Sequence, residues 1–130
     1  MKKTVLAILM TVAATTAYAR LEKCTSGNGG VLFQGGNGQS YCISRRQVNW
    51  WSAFSWCKSV GGELVNIDDA CPDTGFDTCT NIAGKQTKVT GSAWLATPNS
   101  SNSAYIVSAN TGYINVNYGP RNVTYYALCY

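Results

Sequence analysis

Residues 48–67, VNWWSAFSWCKSVGGELVNI, carry the most regular apolar spacing in the chain. Trp50, Ala53 and Cys57 recur at intervals of three and four, which places them on one face of a helix, and Phe54 lies beside them on the same apolar side. Asn49 is placed to cap the amino end, because its side-chain oxygen accepts one of the N–H groups that every first turn leaves without a partner. Gly61 and Gly62 end the helix, one of them in the left-handed conformation that costs glycine nothing. Beyond the stop, Leu64, Val65 and Ile67 form a short extended segment that sends Leu64 and Ile67 into the core.

On either side of this helix the pattern predicts short strands. Residues 21–24 read as a first strand, TSGNGG as a loop, and 31–33 as a strand returning at 40–44 through the GGNG turn at 35–38. After residue 92 the texture is that of a sheet. Residues 92–96 hold Trp94 and Leu95, 105–107 are β-prone, and Tyr113, Asn115 and Asn117 alternate with Ile114, Val116 and Tyr118 in a half-buried rhythm. ANTG at 109–112 suits a hairpin turn, Gly119-Pro120 interrupts, and 122–130 make a last strand ending in Cys129. The predicted core is Trp50, Phe54, Leu64, Ile67, Trp94, Leu95 and Leu128.

The amino end changes the picture by setting a compartment. Lys2 and Lys3 precede an apolar run from Val5 to about Ala14 and then Ala17-Tyr18-Ala19, the small-x-small pattern of a signal peptidase site. The run is too short to span a bilayer, so residues 1–19 read as a removed export signal of the brief, lysine-led bacterial form, with a retained anchor as the alternative. Residues 20–130 then form one domain. The signal takes two lysines from a formal net charge of +4, and Arg45-Arg46 is the only basic pair that remains, which gives no case for nucleic acid. The chain has no histidine, so Ser-His-Asp and Cys-His catalysis and histidine-ligated zinc are excluded.

Six cysteines, at 24, 42, 57, 71, 79 and 129, in an exported chain are expected to form disulfides, with their pairing open on sequence alone. No C-x2-C pair is present to support zinc. Asp68, Asp69, Asp73 and Asp77 crowd one loop, but their spacing does not match a twelve-residue calcium loop, which also needs a glycine and a terminal glutamate. A solvated acidic loop closed locally by Cys71 and Cys79 is the simpler reading.

Trp50, Ala53, Cys57, Gly62, Leu64 and Ile67 together resemble the first-helix signature of the C-type lectin-like family. Ala93-Trp94-Leu95-Ala96 is similar to a divergent form of that family's central strand, and Ala127-Leu128-Cys129-Tyr130 to its last strand. The resemblance implies an α+β fold, a small disulfide-stapled domain with a first helix packed on short antiparallel sheets. It also implies that Cys57 pairs with Cys129 and that Cys24 pairs with Cys42, as in the family's long form, leaving Cys71 to Cys79. The sequence departs from the family in having no cysteine between 80 and 128 and no Glu/Gln-Pro-Asn, Gln-Pro-Asp or Trp-Asn-Asp motif. With no aspartate or glutamate after Asp77, calcium-dependent sugar binding is not expected at the usual place, and no metal or cofactor is expected.

Catalysis finds little support, because a glycosidase needs two carboxylates facing each other across a cleft, and Glu63 and the aspartates at 68–77 have no acidic partner anywhere after Asp77. Binding finds more. Asparagines at 99, 102, 110, 115, 117 and 122 and tyrosines at 105, 113, 118, 125 and 126 give the rigid aromatic area and adaptable hydrogen bonding that recognition loops use. That composition is similar to the variable regions of lectin-fold proteins diversified by bacterial retroelements. The expectation is an exported, periplasmic, secreted or surface-exposed module that binds a protein or glycan without calcium through Tyr105, Tyr113, Asn115, Asn117, Tyr118 and Tyr125. The alternative is a structural or assembly subunit of a bacterial cell-surface structure.

Overall fold

The computed structural model describes residues 20–71, 79, 91–108, 114–115 and 121–130. The expected export signal, Asp73, Asp77, the ANTG turn, Tyr113, Asn117 and Tyr118 lie outside these residues. Among the described residues, six strands form one mixed sheet: β1 (Gly30–Gln34), β2 (Ser40–Ser44), β3 (Ser92–Pro98), β4 (Ala104–Ser108), β5 (Ile114–Asn115) and β6 (Tyr126–Cys129), in the order β1-β2-β6-β3-β4-β5. The sheet is not purely antiparallel as expected: β3 and β6 run parallel, with Ala93 opposite Tyr126 and Trp94 opposite Ala127. The carboxyl-terminal strand thus inserts between the amino-terminal hairpin and the β3–β4 hairpin, joining the two halves of the chain in one sheet.

The alternation of side chains along the strands builds two apolar layers. Cys42, Trp94, Ile106, Ala127 and Cys129 point to one face, against Ala53, Cys57 and Val60 of the segment that begins as helix α1 (Trp50–Ser59). Tyr41, Ile43, Ala93, Leu95, Val107 and Leu128 point to the other, where Val65, Cys71, Cys79 and the short helix α2 (Ile67–Ala70) cover them. The expected local Cys71–Cys79 bond is present, and both of its cysteines are buried in the second core layer. Cys24–Cys42 and Cys57–Cys129 are the other two pairs.

Helix α1 starts where Asn49 accepts from the Ser52 N–H at 2.8 Å. It stops in a Schellman turn: Gly61 adopts φ 87°, its N–H bonds the Lys58 carbonyl, and the Gly62 N–H bonds the Cys57 carbonyl. Gly62 is required for space as well, since a Cβ there would lie 2.5 Å from Leu21 Cδ2 and 2.7 Å from the Tyr130 carbonyl oxygen.

Several expectations are corrected. Residues 21–24 form a turn, not a strand, because Leu21 takes a positive φ of 60° and its N–H bonds the Gly61 carbonyl, folding the chain end over the helix terminus. The last strand is shorter than 122–130: Tyr125 bridges Val48, off the main ladder, and residues 121–123 turn. Of the predicted core, Leu64, Ile67, Trp94, Leu95 and Leu128 are buried, whereas Trp50 and Phe54 are only half-buried. The small residues Ala53 and Cys57 occupy the inner face of α1 because the helix lies close against β6, and the larger rings flank that contact.

Candidate functional site

Of the expected binding residues, Tyr105, Asn115 and Tyr125 lie among the described residues. Tyr105 is half-buried on β4 and packs against the layer containing Val107 and Leu95. Tyr125 is half-buried on the α1 side of the sheet, edge-to-face with Trp94 at 4.8 Å. The two rings thus sit on opposite faces. Asn115 lies in β5 opposite Ile106. Tyr113, Asn117 and Tyr118 fall outside the described residues.

A different constellation forms where the amino end of α1 meets the β3–β4 turn and the segment leading to β6. Val48 and Tyr125 exchange backbone hydrogen bonds of 2.7 and 2.9 Å, and the Trp94 indole N–H donates to the Val48 carbonyl at 2.8 Å. One step further, the Trp50 backbone N–H donates to the Arg121 carbonyl at 3.1 Å, so Arg121 satisfies a first-turn donor that the Asn49 side chain does not reach. The Arg121 N–H in turn donates to the Asn102 carbonyl at 2.9 Å. Asn102 belongs to a turn closed on itself by the Ser100 and Ser103 hydroxyls, 2.6 Å apart, and by the Asn99 N–H on the Ser103 carbonyl.

The Arg121 side chain is fixed by this frame. Its guanidinium carbon sits 4.2 Å from the centre of the Trp50 ring, and Nη2 donates to the Ser100 carbonyl at 2.9 Å. Trp50 is held from below by its own indole N–H, which donates to the Leu95 carbonyl at 2.9 Å, and by an edge-to-face contact with Phe54 at 4.8 Å. Arg121 Nε is buried with no hydrogen-bond partner, and no carboxylate among the described residues pairs with the guanidinium. Outside the stack lies Trp51, edge-on to Trp50 at 6.0 Å and 54 % exposed.

Trp51, Ser101, Asn102, Arg121 and Asn122 line a surface concavity of about 440 Å³. It offers an indole face, a cation, amide groups and a hydroxyl, with no acidic residue among them. A larger hollow of about 580 Å³ beside the Ser26–Asn28 turn is lined by Arg46, Val48 and Trp56 as well as Asn28 and Ser44. There the Asn28 side-chain amide is committed to the Lys23 carbonyl, while Ser44 donates to the Arg46 carbonyl and accepts from the Ala127 N–H.

Reading the sequence for tyrosine density passed over Arg121, yet a signal was present: it is the only charged residue after Lys88. A lone cation in a long uncharged stretch has a local role to account for. No family model matches the sequence, and no curated protein matches it either.

Proposed function

We propose that this protein is an exported recognition module of C-type lectin-like fold that holds a glycan or protein ligand without calcium and without catalysis. The observation that carries the reading is the immobilised Arg121–Trp50 stack with an exposed Trp51 beside it, at the rim of a concavity lined by Asn102 and Asn122. Solvent-facing indoles are uncommon on a small domain unless they contact something, and tryptophan and arginine are the side chains that dominate binding energy when desolvated. Here both are positioned before any ligand arrives, so little ordering entropy opposes binding. Asn102 and Asn122 come from the asparagine-rich segment that first suggested recognition, while Tyr105 and Tyr125 support the site by packing the sheet beneath it. Three disulfides and the absence, among the described residues, of any helix long and apolar enough to cross a membrane accord with an exported domain.

The test is a glycan array and a pull-down run with wild type beside Trp51→Ala, with and without chelator. A ligand bound by wild type in chelator and lost in the variant supports the reading. A ligand that Trp51→Ala retains at full strength places recognition elsewhere.

A further inference from the structure

Resting on that reading of the site, we infer that the concavity takes an acidic sugar, its carboxylate held by Arg121 and its ring laid on Trp51. Three observations converge on this chemistry.

The first is the state of the guanidinium. Of its donors, one Nη2 hydrogen goes to the Ser100 carbonyl, and Nε is sealed against the Trp50 ring with no acceptor. Arg121 has no carboxylate among the described residues, and the sequence supplies none after Asp77. The stack and the Ser100 bond fix the plane of the group, and its Nη1 side, with no hydrogen-bond partner among the described residues, remains for an incoming anion. A planar, pre-oriented guanidinium suits a carboxylate, whose two oxygens match its fork.

The second is the sign of the field around it. No acidic side chain lines the concavity. Helix α1 points its amino end here, with no acidic residue in its first turn to offset the partial positive charge of the helix dipole. Among the described residues, no carboxylate lines the hollow to repel an anion.

The third is the apolar and amide lining. Trp51 offers a flat, exposed ring at one wall, and Ser101, Asn102 and Asn122 offer donors and acceptors at the others. A sugar ring has an apolar C–H face and a rim of hydroxyls, which this lining matches. A volume of about 440 Å³ lies at the small end of the range for ligand pockets, suited to one or two sugar rings.

The experiment is an NMR titration of the Trp51 indole N–H resonance with methyl β-glucuronide, the methyl glycoside of N-acetylneuraminic acid, methyl β-glucoside and glucose 6-sulfate. The expected result is saturable shifts with the two carboxylates, at least about tenfold tighter than with the neutral glucoside, and weakening with added salt. Arg121→Gln should remove that preference. Because Arg121 also braces Trp50, Asn122→Asp is the companion variant: it leaves the stack intact, keeps the melting temperature, and sets a negative charge in the hollow that should abolish carboxylate binding. Equal binding of glucuronide and glucoside, unchanged in Asn122→Asp, would overturn the acidic-sugar inference while leaving a recognition site at Trp51 standing. Preference for the sulfate, or no shift with any of the four sugars, would also overturn it. The wider reading falls only if the Trp51→Ala comparison fails.

Discussion

The Arg20 guanidinium donates to the Tyr130 carbonyl oxygen at 2.9 Å and lies over the Tyr130 ring at 5.4 Å. The same ring stacks nearly parallel on Tyr41, which stacks on Phe33, so a column of rings runs from the second core layer to the residue that follows the expected signal cleavage. At its far edge the Tyr130 hydroxyl donates to an Asp69 carboxylate oxygen and accepts from the Asn66 amide. The column thus ties Arg20 and the carboxyl-terminal Tyr130 to helix α2.

This arrangement predicts a loss of stability in alkali. Burial first, and the hydrogen bond to Asp69 second, raise the Tyr130 pKa above the ordinary tyrosine value of 10.0. Burial likewise raises that of Tyr41, with a lesser contribution from the Asp69 charge against the lowering effect of its Asn37 hydrogen bond. For a group whose folded pKa is raised, the stabilisation is fully present below the unfolded value and is lost as pH rises through the folded one. Urea midpoints should therefore hold level from pH 7 to 9 and fall above about 10. Tyr130→Phe should flatten part of that fall. A midpoint that holds level to pH 11 would contradict the assignment.

Gly62→Ala should destabilise by about 1 to 3 kcal/mol. The added methyl meets the Tyr130 carbonyl oxygen, which is backbone and cannot swing aside, as well as Leu21 Cδ2. Since Leu21 and Tyr130 both meet that methyl, the same variant should raise amide exchange at both. Equilibrium denaturation and hydrogen exchange give the two readings. An unchanged midpoint would mean that Leu21 and Tyr130 do not close over the helix terminus.

The disulfides are expected to differ in worth according to the chain they close. Cys57–Cys129 spans 72 residues and Cys71–Cys79 spans 8, so chain entropy assigns them about 4.5 and about 2.5 kcal/mol respectively. Replacing both cysteines of the long-range pair with alanine should lower the melting temperature more than replacing both of the local pair. Calorimetry of the two double variants decides the order.

Much of the fold was legible because its determinants are local. Asn49, the 3.6-residue spacing after it and the Gly61-Gly62 stop each act within one turn, and all three appear where the pattern puts them. The β1–β2 hairpin was legible for the same reason, its GGNG turn being set by four adjacent residues. What local pattern does not carry is which segments meet. Leu21 takes a left-handed turn because Gly61 offers it a carbonyl across 40 residues, so its strand-like neighbours mislead. The parallel pairing of β3 with β6 is likewise a fact of topology. At the candidate site, tyrosine and asparagine density pointed to the segment that also contains Asn102 and Asn122. It did not show that strand alternation sends Tyr105 and Tyr125 to opposite faces, or that the Arg121 backbone completes the first turn of α1 and so sets its guanidinium on Trp50.

The adjacent tryptophans of α1 are expected to separate stability from binding. Trp50 is half-buried, yet its indole N–H satisfies the Leu95 carbonyl, its edge receives Phe54 and its face receives Arg121. Trp50→Ala should remove all three and cost about 3 kcal/mol, near the low end for deletion of a large aromatic because part of the ring is already in water. It should abolish ligand binding too, since the guanidinium loses the surface that orients it. Trp51 is 54 % exposed, lies one position round the helix, and meets Trp50 edge-on. Trp51→Ala should shift stability by no more than about 0.5 kcal/mol, as surface substitutions generally do, and still abolish binding. Urea denaturation of the two variants beside the same ligand titration makes the comparison. If Trp51→Ala proves as destabilising as Trp50→Ala, Trp51 is a packing residue, and its exposed face is not the contact surface assigned to it.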